Sequence, residues 1–157
     1  MRVHFTMLVG ALLLAGPALA QTTPVSATDQ AAIVAPVQKA VVRALNFGQG
    51  DLERLRGARE DFTPEGWQEF MKRLDGWLDA SGAPTFSSSF VPSGSATILG
   101  QGDGTLHVVI RGTLKHSQNA SSTTYPIVIE VRAGGTPLKI EHLEQTVCIG
   151  AKTTPCQ

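Results

Sequence analysis

Asp61-Phe62-Thr63-Pro64-Glu65-Gly66-Trp67-Gln68-Glu69-Phe70 is the stretch on which the reading of this 157-residue chain turns. It spells the start of a helix. Thr63 supplies a capping hydroxyl, and Pro64 suits the first helical position, where its missing N–H would be unpaired anyway. Glu65 puts negative charge in the first turn, where the helix dipole favours it. Trp67, Phe70, Met71, Leu74, Trp77 and Leu78 then recur at spacings of three and four, which makes one apolar stripe. Both tryptophans lie on it. The pattern predicts a helix that closes the core, with later strands packed against it.

Upstream, Thr28-Asp29 caps a first helix in which Ile33, Val34, Val37, Val41, Val42 and Leu45 follow a helical period. Pro36 either kinks it or marks a later start. Gly48 is its C-terminal cap. Gly50-Asp51 opens a short second helix with Leu52 and Leu55 inward and a solvated face of mixed charge. After Pro84 the period changes from 3.6 to 2. Phe86 to Val91 reads as a strand or an extended connector. Ser95–Leu99 and Thr105–Leu114 flank a glycine-rich hairpin turn, with Leu106, Val108, Ile110 and Leu114 on one face. His116 to Thr123 reads as a polar loop. Tyr125, Ile127, Ile129 and Val131 alternate on the next strand. Leu138–Val147 is the last, with a phase switch that suggests a bulge near Glu141-His142. The fold class is α+β: N-terminal helices on one face of a curved, roughly four-stranded antiparallel sheet.

The length allows one domain. Hydrophobic content of 42% supports a core, and formal net charge is zero. Residues 1–20 read as a cleavable signal: Arg2, an apolar run from Phe5 to Ala15, a Gly16-Pro17 break, and Ala18-Leu19-Ala20 as the cleavage site. The alternative, a retained membrane anchor, needs a longer apolar run. Loss of Arg2 leaves the mature chain slightly acidic, against a nucleic-acid binder, which shows a basic excess. Residues 21–28 form a linker, 29–150 the domain and 151–157 a tail. The expected location is the bacterial periplasm. Cys148 and Cys156 have seven residues between them. In an exported chain they read as a disulfide that pins the tail, the alternative being free thiols in a frayed end.

Candidate chemistry is sparse. His107 lies on the less apolar face of its strand and His142 at the suspected bulge, and either is placed to line a cavity or to make a cross-strand hydrogen bond. No His/Cys spacing supplies a metal site, and no cofactor motif is present. Glu65 and Glu69 are four apart on one helix face. The helix dipole accounts for the first and solvent for the second, so they do not form a catalytic pair. There is no Gly-x-Ser-x-Gly and no phosphate loop. Trp67, Phe70 and Trp77 read as core or as the wall of an apolar pocket, with Tyr125 at its mouth.

The order of elements resembles the cone-shaped fold of the nuclear transport factor 2 type. Within it, Ala44-Leu45-Asn46-Phe47, the Asp61–Phe70 block, Leu78 and Ser81-Gly82 are similar to the DotI/IcmL/TraM family of periplasmic domains. Those are components of type IV secretion and conjugation machines. Tyr125, Val131-Arg132 and Pro137-Leu138-Lys139-Ile140 fall where that family has a Tyr, an Arg-ended strand and an apolar-x-Ile strand. Two features depart from it: the family keeps an uncleaved membrane anchor, and it carries a Trp in the second hairpin strand. The resemblance implies a non-enzymatic scaffold or accessory module whose partners are envelope proteins or itself. The residues alone leave two further readings. One is a binding protein for a small apolar ligand between the Trp67 helix and the sheet. The other, ranked last, is an enzyme with His107 or His142 as base.

Overall fold

A computed structural model describes residues 27–148 together with Cys156. The signal read at 1–20, most of the linker and all of the tail but Cys156 lie outside the described residues. Helix α1 spans Ala27–Leu45 and carries Pro36 in its interior. The helix continues through it, with Pro36 on the exposed side. Val34, Val37, Val41, Ala44 and Leu45 are its buried stripe. Helix α2 spans Leu52–Gly57, capped by Asp51, whose carboxylate accepts from the Arg54 N–H at 3.0 Å. A 3-10 turn at Ala58–Asp61 leads to α3, Pro64–Leu74. Thr63 Oγ1 caps α3 by accepting from Gly66 N at 3.1 Å. No helix among the described residues is long and apolar enough to cross a membrane.

The sheet is antiparallel and has five strands: β1 (Ser87–Pro92), β2 (Thr97–Gly102), β3 (Thr105–Gln118), β4 (Ser121–Gly134) and β5 (Lys139–Val147). β1 and β2 share one edge of β3 in tandem, β2 along its first half and β1 along its second. Where β2 lies against β3 the sheet is four strands wide, in the order β2, β3, β4 and β5; where β1 lies against the outer half of β3 it is three strands wide, β1, β3 and β4. Of the stretch Phe86–Val91, Ser87 onward is strand, as β1, in which Phe90 pairs opposite Leu114 and both face the core. The polar segment read as a loop from His116 to Thr123 continues the β3–β4 hairpin to Gln118↔Ser121. Asn119 and Ala120 alone make the turn, both at positive φ. Beyond Ser117 that extension is exposed on both faces, so it shows no hydrophobic alternation. The bulge on β5 is present: Ala133 pairs with Ile140 and Arg132 with His142, leaving Glu141 as the extra residue.

The core lies between the helices and one face of the sheet. Leu106, Val108, Ile110 and Leu114 of β3 meet Ile127, Ile129 and Val131 of β4, all nearly water-free. Two seams hold the helices in place. Asn46 and Phe47, just past α1, pair with β1: Phe47 and Ser88 exchange backbone hydrogen bonds of 3.1 and 2.9 Å. On the other side Phe62 bridges Ile140 of β5, and Thr63 N donates to the Ile140 carbonyl at 2.9 Å. A disulfide joins Cys148 to Cys156, with Cα atoms 5.6 Å apart.

Candidate functional site

The apolar stripe that begins at Trp67 does not serve one purpose. Trp67 and Phe70 pack with Phe62 as a three-ring cluster on the core, with centroids 5.2 to 5.6 Å apart. Asp75-Gly76 then ends the α-helix, and a 3-10 turn at Asp75–Trp77 follows. The change of pitch rotates Trp77 out of the stripe, and it is 52% exposed. Its backbone is anchored all the same. The Trp77 carbonyl accepts from both Thr85 N and Thr85 Oγ1 at 2.9 Å. Asp79 Oδ1 closes the next turn by accepting from Ser81 N, Ser81 Oγ and Ala83 N.

From Trp77 a chain of edge-to-face rings runs through Phe86 and His116 to Tyr125. Trp77 meets Phe86 at 5.6 Å, Phe86 meets His116 at 4.9 Å, and His116 meets Tyr125 at 5.5 Å. Phe47 packs on Phe86 from the core side at 5.2 Å. This wall bounds a cleft of about 440 Å³ floored by Leu45, Phe47, Leu74 and Phe86, with Arg73 among its lining residues. The same four rings border an adjoining cleft of about 470 Å³ that runs out along the β3–β4 extension to Gln118, Ser121 and Thr123.

The polar groups of the wall are paired and neutral. Tyr125 Oη lies 2.8 Å from His116 Nδ1. Burial pushes the His116 imidazole below its ordinary value and the Tyr125 phenol above its own. Both therefore stay uncharged near neutrality. Arg73 donates to Glu69 Oε1 at 2.7 Å. The other Glu69 oxygen lies 2.9 Å from His142 Nδ1, so one carboxylate joins the cleft to the β5 edge. Hydrogen bonds from His142 and then Arg73 hold the Glu69 carboxyl below the ordinary carboxylate value.

Of the residues singled out in the sequence, Trp77 and Tyr125 line the cleft. Trp67 and Phe70 sit in the core cluster, and the cleft lies beyond them at the C-terminal end of α3. His107 and His142 face a separate, shallow groove of about 190 Å³ with Glu130, Arg132 and Glu144. There His107 Nε2 is 3.6 Å from Glu130 and His142 Nε2 is 3.7 Å from Glu144. Among the described residues no group of three or more His, Cys, Asp or Glu is arranged to hold a metal ion. The residues the sequence reading passed over are His116, Phe86 and Arg73. The signal for His116 was its parity: it continues the inward series Ile110, Gly112, Leu114 along β3.

No family model matches this chain, and no curated protein matches it by sequence. Solved structures match it in fold. An IcmL-like type IV secretion system protein from Legionella pneumophila subsp. pneumophila str. Philadelphia 1 superposes with a TM-score of 0.64 at 11% identity, over 82% of this chain and 97% of that one. The periplasmic domain of DotI gives 0.60 at 16% identity, over 77% and 95%. CagV, a VirB8 homolog of the type IV secretion system from Helicobacter pylori strain 26695, gives 0.55 at 10%, over 74% and 98%. The chain has the α+β fold of these proteins.

Proposed function

We propose that this protein is an exported, non-enzymatic scaffold or accessory module that binds other envelope proteins or itself, in the manner of a type IV secretion or conjugation component. The observation that carries this reading is the extent of the likeness. The superposition takes in 97% of the IcmL-like protein and 95% of the DotI periplasmic domain, so the whole unit is alike rather than a shared submotif. Supporting it, the N-terminal sequence has the form of a signal with cleavage after Ala20. The Cys148–Cys156 disulfide also suits an oxidising compartment such as the periplasm. The test is native mass spectrometry of the mature protein, released gently from its host's periplasm after brief cross-linking. Recovery with envelope proteins, or as a defined oligomer, is the expected result. Recovery as a monomer without a protein partner overturns the reading.

A second reading is favoured by one observation, the ring-walled cleft at Trp77. On this reading the protein binds a small, largely apolar ligand, held at the C-terminal end of α3 rather than beside Trp67. Release of a small bound mass from the monomer on denaturation would support it.

A further inference from the structure

Resting on the ligand-binding reading, we propose that the cleft at Trp77 is a site for a small amphipathic carboxylate. The carboxylate is held by Arg73 and the His116–Tyr125 pair, and the apolar body lies over Phe47, Leu74 and Phe86.

Size and surface come first. A cleft of about 440 Å³ falls within the range of small-molecule sites, roughly 300–1,000 Å³. Its floor is aromatic and aliphatic. Trp77 stands half out of the protein at its rim, although its backbone is fixed by Thr85. A large exposed ring continuous with an apolar floor is the pattern of a binding surface rather than of scattered surface apolarity.

The polar groups narrow the class. In the His116–Tyr125 pair a single proton bridges Nδ1 and the phenol oxygen. If the phenol donates, the imidazole carries its remaining N–H at Nε2. If Nδ1–H donates, the phenol O–H is left. In either tautomer one donor remains for a ligand. Burial keeps the pair uncharged, so it contributes a hydrogen bond and no charge. Arg73 contributes the charge. Its bond to Glu69 engages one of its five N–H groups, and the guanidinium fork matches a carboxylate in two-pronged geometry.

The charge count favours one negative charge over two. Among the described residues Arg73 is the one cation lining the cleft, and Glu69 already offsets part of it. Among the described residues no Asp or Glu lines the cleft or the adjoining one, so no lining carboxylate opposes a monoanion. A wholly apolar ligand would instead cover Arg73 and the spare donor without giving either a partner, which is costly.

The test uses the mature chain carrying Trp67→Phe, which leaves Trp77 as its single tryptophan. Its emission is followed while decanoate, decanol or decyltrimethylammonium is added below micelle-forming concentrations. The expected result is saturable binding of decanoate about tenfold or more tighter than decanol, and weaker still for the cation. Arg73→Gln is expected to lower decanoate affinity by about tenfold and leave decanol unchanged, with Arg73→Lys between. Arg73→Gln also removes the Glu69 bridge. Tyr125→Phe therefore serves as the second variant: it keeps the ring, removes the hydroxyl and is expected to weaken decanoate several-fold. Equal or tighter binding of decanol, or no effect of Arg73→Gln and Tyr125→Phe, overturns the carboxylate assignment and leaves the apolar-ligand reading standing. No saturable response to any of the three probes overturns both.

Discussion

Gly66 of α3 lies so close to β5 that a Cβ added there would stand 2.5 Å from the Ile140 carbonyl oxygen and 2.8 Å from that of Glu141. Both neighbours are backbone, so neither gives way by a side-chain rotation. The contact explains why glycine sits in the first turn of a helix, where it otherwise costs stability. It also lets Phe62 and Thr63 pair with Ile140. Gly66→Ala is therefore expected to lose about 1–3 kcal/mol in urea unfolding, the range for forced overpacking. Gly57, with nothing within 4 Å of its added Cβ, is the control. Gly57→Ala is expected to be neutral or to gain up to about 1 kcal/mol. Equal effects at the two sites would show that the α3–β5 approach is loose.

Phe70 and Trp77 are seven residues apart on one apolar stripe, yet one is 2% exposed and the other 52%. Phe70→Ala is expected to cost about 3–5 kcal/mol, as for other buried aromatic truncations. Trp77→Ala, at the rim, is expected to cost about 1 kcal/mol or less. Denaturant titration of the two variants measures both. A loss at Trp77 as large as that at Phe70 would place Trp77 in the core and remove it from the cleft.

This pair also shows how far the sequence carries. The cap at Thr63, the Trp67–Phe70 face and the alternation of Leu106–Leu114 and Ile127–Val131 each follow from a period or a turn rule, and the fold follows from them. The cleft does not. Trp77 leaves its stripe because Asp75-Gly76 tightens the helix to 3-10, and residue spacing gives no sign of that change. His116 becomes a wall residue only because the β3–β4 hairpin runs on through Ser and Thr, where both faces are wet and the alternation signal vanishes. Arg73 belongs to the polar side of its helix, and only the packing of α3 over the sheet makes it line the same cleft as Tyr125.

Asn46 joins the end of α1 to β1 through its side chain. Its Oδ1 accepts from Phe90 N at 2.5 Å, and its Nδ2 donates to the Phe90 carbonyl at 3.4 Å. Phe90 is 1% exposed, so water does not readily replace the lost partner. Asn46→Ala is expected to cost about 1–3 kcal/mol, the penalty for leaving buried polar groups unpaired. Asn46→Asp keeps the acceptor for the short bond and is expected to cost less. Thermal unfolding of both variants measures the order, and a reversed order would assign the main role to the longer bond.

Acid is expected to weaken this fold in two steps, each with its own residue. Burial holds the folded His116 imidazole below its ordinary value of 6.5. As pH falls below that value, the unfolded chain takes up the proton first, so stability declines until the folded imidazole protonates too. Glu69 acts lower. Its bonds with His142 and Arg73 hold the folded carboxyl below its ordinary value of 4.5. Its contribution is complete above the unfolded value and is lost as pH falls through the folded one. The Glu69 side chain is 42% exposed, so this second step is the smaller and shrinks with added salt. The measurement is the thermal midpoint followed from about pH 8 to about pH 3 at two salt concentrations. His116→Gln is expected to flatten the upper step and leave the lower, and Glu69→Gln to do the reverse. If His116→Gln leaves the decline below pH 6.5 intact, the cleft wall is not the acid-sensitive part of the fold.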